Sequence, residues 1–398
     1  MANLIWRVGA ALCLLAGMAP AQIEITGTLD LAFKHDLGKE SKELNSRINS
    51  SLKGKSPLSL ARARVFADAE ISESITASTT TLYDEGLQHF DLEGAYVIFH
   101  EIGQRPALNV LAGKMATVFG SFASRSFATV NPVIGTPLIY HYFSAISGRS
   151  VAADTAEQLR RRDSSNYQTR GQPIVYDACW NTGVQLFGST ERFTYGLALT
   201  KGALSNPDAA DNDGAQLLGR LGVQPTMGWK LGVSGAYGPY LSEQVAADPD
   251  MPVGSSPEDF NQLIFGIDGE YSIWQCELFF ELMRNEWELP NLTQTSLGNT
   301  GGYIEGTIAL KPGLHYSLRV GGIRYDQIDD GAGNKVSWDH DITRIETGFE
   351  YYVTRDTRIK SSLQLNFWDE AAPDDDDHIV GVQLATLILN SDTDRFRS

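Results

Sequence analysis

Ile23-Glu24-Ile25-Thr26-Gly27-Thr28-Leu29-Asp30-Leu31 alternates: Ile23, Ile25, Leu29 and Leu31 share one face, and Glu24, Thr26, Thr28 and Asp30 share the other. A period of two is the mark of a strand whose two faces meet different surroundings. The pattern returns at Phe193, Tyr195, Leu197 and Leu199 against Thr194, Gly196, Ala198 and Thr200. It returns again at Thr357, Ile359, Leu363, Leu365 and Phe367 against Arg358, Lys360, Gln364 and Asn366. Carried along the chain, it predicts strands at 23–33, 57–71, 75–83, 89–101, 107–115, 173–187, 193–201, 215–224, 229–238, 261–273, 275–287, 302–311, 314–325, 342–353, 357–368 and 379–389.

Period two alone does not separate a soluble sheet from a transmembrane one. The connections do. Short ones (Ser72–Ser74, Ile102–Pro106, Gly188–Arg192, Gln224–Gly228, the junction near Trp274, Lys311–Gly313, Thr354–Asp356) alternate with longer ones at 34–56, 116–172, 202–214, 239–260, 288–301, 326–341 and 369–378. Only Asp84–Gln88 is brief among the second set. Short turns at one end and long loops at the other describe an outer-membrane barrel. Lipid forbids an open sheet edge, so the strands should close on themselves. The expected fold is therefore all-β: a single 16-stranded antiparallel transmembrane β-barrel. Trp180, Trp229, Tyr237, Tyr271, Trp274, Trp287, Tyr351 and Trp368 fall near strand ends, where interfacial girdles belong.

Composition narrows the function. The 398 residues include 42% hydrophobic side chains, with no run long enough for a helical span, so neither a helical membrane protein nor a disordered chain fits. Lys and Arg number 32 against 49 Asp and Glu, which argues against a nucleic-acid partner. Three cysteines cannot build a disulfide framework. Met1–Ala21 reads as a secretory signal, with Arg7 before an apolar run, Val8–Gly17, and Ala19-Pro20-Ala21 as a cleavage site before Gln22. The expected organisation is a signal peptide at 1–21, a barrel domain at 22–389 and a C-terminal tail at 390–398.

With these features the mature chain resembles the sixteen-stranded porins of Gram-negative outer membranes. Gly113-Lys114-Met115-Ala116-Thr117-Val118-Phe119-Gly120 is similar to the glycine-to-PFG stretch of the phosphate-selective porin O and P family, with Val118 where that family usually has Pro. Asn131-Pro132-Val133-Ile134-Gly135-Thr136-Pro137-Leu138 looks like a motif of related porins. The resemblance implies passive diffusion of small hydrophilic or anionic solutes, a homotrimer set in outer-membrane lipid and lipopolysaccharide, and a long third loop folded into the lumen. Porins commonly end in an aromatic residue, whereas this chain ends Phe396-Arg397-Ser398.

Segment 114–172 is a positive island. Lys114, Arg125, Arg149, Arg160, Arg161, Arg162 and Arg170 stand against Asp154, Glu157 and Asp163. A sixteen-stranded lumen is wide enough to need narrowing, and a ring of these cations in a constriction would attract anions. The plainer reading leaves Arg160–Arg162 on a solvated loop tip, paired with Glu157 and Asp163 for about 0–1 kcal/mol. Arg62 and Arg64 share a face with Asp68 and Glu70, and Arg344 shares one with Glu346 and Glu350. Parity points these to the lumen wall, because Arg on the lipid face at mid-bilayer costs about 2–4 kcal/mol. Cross-bracing of the wall is the alternative use. Asp374–Asp377 and the run Asp208…Gly214 lack the spacing of a calcium loop and read as solvated turns.

No catalytic signature appears: Gly-x-Ser-x-Gly and His-Glu-x-x-His are absent, and His141 near Ser144 is unsupported. No enzyme, cofactor or metal is expected. The competing functions are an outer-membrane barrel hydrolase, a general cation-preferring porin, and a soluble secreted β-sandwich.

Overall fold

The computed structural model describes residues 22–37, 47–48, 58, 60–85, 89–105, 107–163, 171–176, 180–292, 295–369 and 378–388. The signal segment, the tail, Cys179 and Asp374–Asp377 lie outside them. Alternating strands need partners on both edges, and here they find them by closing. β1 (Gln22–Asp36), β2 (Leu60–Ser72), β3 (Ile75–Asp84), β4 (His89–Phe99), β5 (Asn109–Ala116), β6 (Trp180–Ser189), β7 (Phe193–Lys201) and β8 (Gln216–Val223) pair with their neighbours in turn. So do β9 (Trp229–Pro239), β10 (Asn261–Ile273), β11 (Cys276–Glu288), β12 (Ser296–Lys311) and β13 (Leu314–Tyr325). A separate ribbon of β14 (Gln327–Asp329) and β15 (Lys335–Ser337) interrupts the chain before β16 (Ile342–Tyr352), β17 (Thr357–Trp368) and β18 (His378–Ile388). β18 then pairs antiparallel with β1, Gly27 opposite Ile388 and Asp36 opposite Ile379, which closes a barrel of sixteen strands. A single closed sheet is not a two-sheet sandwich, so the soluble sandwich falls away.

The faces are inverted relative to a soluble protein. Leu197, Leu221, Val233, Phe265, Ile304 and Phe349 are each about half exposed on the outside, at 48–59% of their surface. Asp268, Glu281, Glu305, Arg319, Glu346 and Lys360 are buried on the inside. Trp229 stacks on Tyr271 at 4.3 Å at the short-turn end, as a girdle pair would. Trp287 departs from that expectation. It is fully buried, facing Trp338 edge-on at 6.0 Å.

Two strand starts lie far from where the alternation puts them. β6 begins at Trp180 rather than 173, because Ile174 and Val175 are both buried and Val175 N donates to Ile139 O within the third loop. β12 begins at Ser296 rather than 302, which shortens the sixth long connection to 289–295. Its start, Ser296-Leu297-Gly298-Asn299-Thr300-Gly301, is poor in strand-forming residues, yet pairs with β11 throughout. Glycine at 301 is required by space, since a Cβ there would meet Ile139 Cγ2 at 2.7 Å.

Candidate functional site

The third loop leaves β5 at Thr117. Its hydrogen bonds fall on strands across the ring, and β13, where several converge, is eight strands from β5 in either direction. Gly120 N donates to Ser234 Oγ on β9 at 3.1 Å. Glu281 on β11 accepts from Ser121 Oγ at 2.9 Å, Phe122 N at 3.2 Å and Tyr140 OH at 2.8 Å. Arg125 pairs with Glu305 on β12 and lies over the Phe279 ring at 3.4 Å. Buried carboxylates need such partners, because an unpaired one is costly.

Downstream, three wall cations capture the carbonyls of residues 128–136. Lys360 Nζ on β17 donates to Ala128 O at 2.8 Å, Asn131 O at 2.9 Å and Val133 O at 3.5 Å. Arg319 on β13 donates to Gly135 O at 2.7 Å and Asn131 Oδ1 at 2.6 Å, and its Nε to Glu305 at 2.7 Å. Arg344 Nη1 on β16 donates to Thr136 O at 3.0 Å. Glu346 accepts from Gly135 N at 2.6 Å, and Ser362 Oγ from Ile134 N at 3.1 Å. Asn131 Nδ2 donates to Gly135 O at 2.9 Å, which closes the segment on itself.

Nearer the long-loop end, apolar side chains from several loops make a common core. Ile48, Tyr142, Ile146, Leu204, Tyr240 and Trp338 belong to it. Asp339 ties the loops together: it accepts from Arg47 at 2.8 Å, Ala145 N at 2.6 Å and Tyr142 OH at 3.3 Å. Burial pushes the Tyr142 hydroxyl well above the ordinary phenol range, and the Asp339 charge adds to that. His340 lies between Asp163 (2.7 Å) and Asp369 (3.0 Å).

Two of the cavities border the pinned segment. The larger, about 740 Å³, lies toward the short-turn end, bounded by Arg125, Val130 and Pro132 of the loop and by Lys230, Glu277 and Arg358 among its wall residues. The smaller, about 250 Å³, lies between loop residues 126–136 and the wall of β1–β5, with Arg62, Arg64 and Lys114 among its lining.

The seven cations of the positive island are not brought together. Lys114 lines the smaller cavity and donates to Leu92 O at 2.6 Å, while Arg125 borders the larger one. Arg149 pairs with Asp208, both largely exposed. Arg160 is exposed. Arg161 is buried, bound to Glu157 at 2.7 Å and to Val151 O at 2.6 Å, and Arg162 donates to Ser337 O at 3.1 Å. Arg170 lies outside the described residues. Partial burial raises the Glu157 carboxyl, but the Ala153 N–H and Arg161 more than offset this and hold it below the usual carboxylate range.

Of the wall residues, Arg62 pairs with Asp84 at 2.5 Å and Arg64 with Glu93 at 2.8 Å. Asp68 accepts from Ser78 Oγ at 2.5 Å, and Glu70 stands opposite Gln22 and Thr76 near the short-turn end. Glu350 pairs with Arg358 at 2.9 Å. Ser144 Oγ is engaged with Gln172 O at 2.8 Å, and His141 meets the Phe143 ring at 5.6 Å. The sequence reading missed Arg319, Lys360, Glu281 and Glu305 as site residues. Their signal was parity: each is a full charge on the face that alternation turns inward.

No protein-family model matches the chain, and no curated protein matches it. Solved structures do. The chain is similar to OmpF of Salmonella typhi in complex with daunomycin, at 12% identity and TM-score 0.58 over 92% of this chain and 98% of that one. It is similar to an anion-selective porin from Comamonas acidovorans, at 9% identity and TM-score 0.55 over 93% and 100%. It is also similar to the in-vitro folded trimer form of OmpT, an outer membrane protein of Vibrio cholerae, at 10% identity and TM-score 0.55 over 93% and 100%. At these identities the likeness is one of fold, a closed sixteen-stranded barrel of the kind these outer-membrane proteins have.

Proposed function

We propose that this chain is an outer-membrane porin, a passive channel for small hydrophilic solutes whose third loop folds into the lumen as the constriction. One observation carries the reading: a closed barrel, apolar outside, holds a loop segment across its interior with open space bordering it. Export follows from cleavage of Met1–Ala21, and N-terminal sequencing of the mature protein should begin at Gln22. The purified protein in a planar bilayer should give discrete ohmic conductance steps. A folded protein that migrates heat-modifiably yet gives no steps overturns the channel.

Preference for small anions, phosphate among them, is the finer reading. The larger cavity favours it, with Arg125, Arg220, Lys230 and Arg358 against Glu270, Glu277 and Glu350. Position decides which cations act on an ion, since exposed charges are screened beyond a Debye length of about 8 Å. Lys230→Glu should therefore move the reversal potential in a salt gradient toward cations, and Arg160→Glu should leave it within error. A larger shift from Arg160→Glu would place the filter in the outer loops.

A homotrimer is supported by an outward face of small side chains. Arg62 and Arg64 line a cavity, so the odd positions Ala61, Ala63, Val65 and Ala67 of β2 face outward, where β7 and β8 present Leu197, Leu199, Leu217 and Leu221. A flat face lets a second barrel approach. Ala63→Trp should convert the oligomer seen by native electrophoresis to monomer while leaving heat-modifiability intact. Lipopolysaccharide is the partner expected at the long-loop rim, where Arg284 and Arg324 are exposed.

A further inference from the structure

The smaller cavity has two unlike walls. Loop residues 126–136 read Ser-Phe-Ala-Thr-Val-Asn-Pro-Val-Ile-Gly-Thr, without one ionisable side chain. Phe127, Ala128 and Ile134 turn to the cavity from that side. Phe127 is held there, with the Phe66 ring edge-on at 5.9 Å and the Arg64 guanidinium at 5.2 Å. The barrel wall opposite is charged, and most of its charges are spoken for. Arg62 is paired with Asp84 and Arg64 with Glu93, and Asp30 accepts from Gln383 at 2.6 Å. Two remain. Among the described residues Lys114 bonds to a backbone carbonyl and Asp91 has no cation partner, yet both line the cavity.

Resting on the channel reading above, we propose that this cavity is a binding subsite for amphipathic zwitterions: an α-amino acid or short peptide with an apolar side chain. Its carboxylate meets Lys114, its ammonium meets Asp91, and its side chain lies on Phe127 and Ile134. A simple anion would satisfy Lys114 and leave Asp91 facing like charge. A simple cation would do the reverse. A zwitterion pairs both at once. The volume of about 250 Å³ leaves room for one such molecule.

The test compares current block by phenylalanine, glycine, benzoate and phenethylammonium on the same channels. Phenylalanine should give resolved blocking events at about tenfold lower concentration than the other three, the factor expected of one charge-assisted hydrogen bond. Lys114→Met and Asp91→Asn should each weaken the phenylalanine block by about tenfold while the salt conductance stays within about twofold. Benzoate equal to phenylalanine would overturn the proposal in favour of an anion subsite, and phenethylammonium equal to it in favour of a cation subsite. Steady conductance with no block by any of the four means there is no subsite. Equilibrium dialysis of labelled phenylalanine against the folded barrel in detergent reads the subsite without conduction. Binding there with no conductance would overturn the channel and keep the subsite, and its absence would overturn the subsite.

Discussion

Lys360→Met should loosen the loop segment that the proposed channel narrows around. The ammonium of Lys360 is the donor that gathers Ala128 O, Asn131 O and Val133 O onto β17, and it is fully buried. Methionine fills much the same volume but donates nothing. Three carbonyls then lose a charged partner, a loss of about 1.5–3 kcal/mol for the first such bond. On its opposite side the segment rests on ring contacts, Phe127 against Phe66 and against the Arg64 guanidinium, which is itself paired with Glu93. The segment should move off the wall or sample several positions. Single-channel conductance should change on the order of twofold with added open-channel noise, because the narrowest section governs ion flow. The barrel itself should still assemble, since the ladder of β17 with β16 and β18 does not involve the side chain. A variant with wild-type conductance and noise would mean that Arg319 and Arg344 hold the segment without Lys360.

That clamp also marks how far the sequence could be read. Strand positions were legible because alternation is a local property, and the loop asymmetry that fixed the barrel is visible in spacing alone. Parity aims Arg344, Glu346 and Glu350 inward, and they meet Thr136 O, Gly135 N and Arg358. What alternation cannot report is that the interior is occupied. Gln364 reads as a lumen residue, and it is buried beside Gly135 rather than open to water. The arginine run misled for a geometric reason. Thr155–Arg161 is a helix with Arg162 at its C-cap, so consecutive side chains leave it about 100° apart. Three adjacent arginines cannot face one channel. One binds inside the loop, one reaches Ser337 and one is exposed. The start of β12 was hidden because glycine, asparagine and serine carry no strand signal until a neighbouring strand supplies it.

Three positions within one turn of the pleat on β12 should give three different fates. Ile304 faces outward near the middle of the strand, opposite Phe280 and Val320, and is 48% exposed. Ile304→Arg puts a cation into hydrocarbon at about 2–4 kcal/mol, and folding into vesicles, read by the heat-modifiable shift, should fall to a small fraction of wild type. Glu305 faces inward and is fully buried between Arg125 and Arg319. Glu305→Met leaves both guanidiniums without their shared carboxylate, a loss of about 3–5 kcal/mol for breaking a buried pair from one side. Because Arg319 also holds Gly135 and Asn131, that change should lower the unfolding midpoint in denaturant and raise channel noise together. Thr307 faces inward too, but onto the larger cavity, where its hydroxyl shares a 2.9 Å hydrogen bond with Ser317. Thr307→Arg loses about 1 kcal/mol with that bond, keeps its charge in water, and should fold like the wild type while reducing conductance. Ile304→Arg and Glu305→Met should both exceed the Thr307→Arg defect, and they part by readout, insertion for the first and unfolding midpoint with noise for the second, because each face touches something different. If Thr307→Arg fails to fold as badly as Ile304→Arg, the inward face near the short-turn end is not water-filled, and the channel cannot run through the larger cavity.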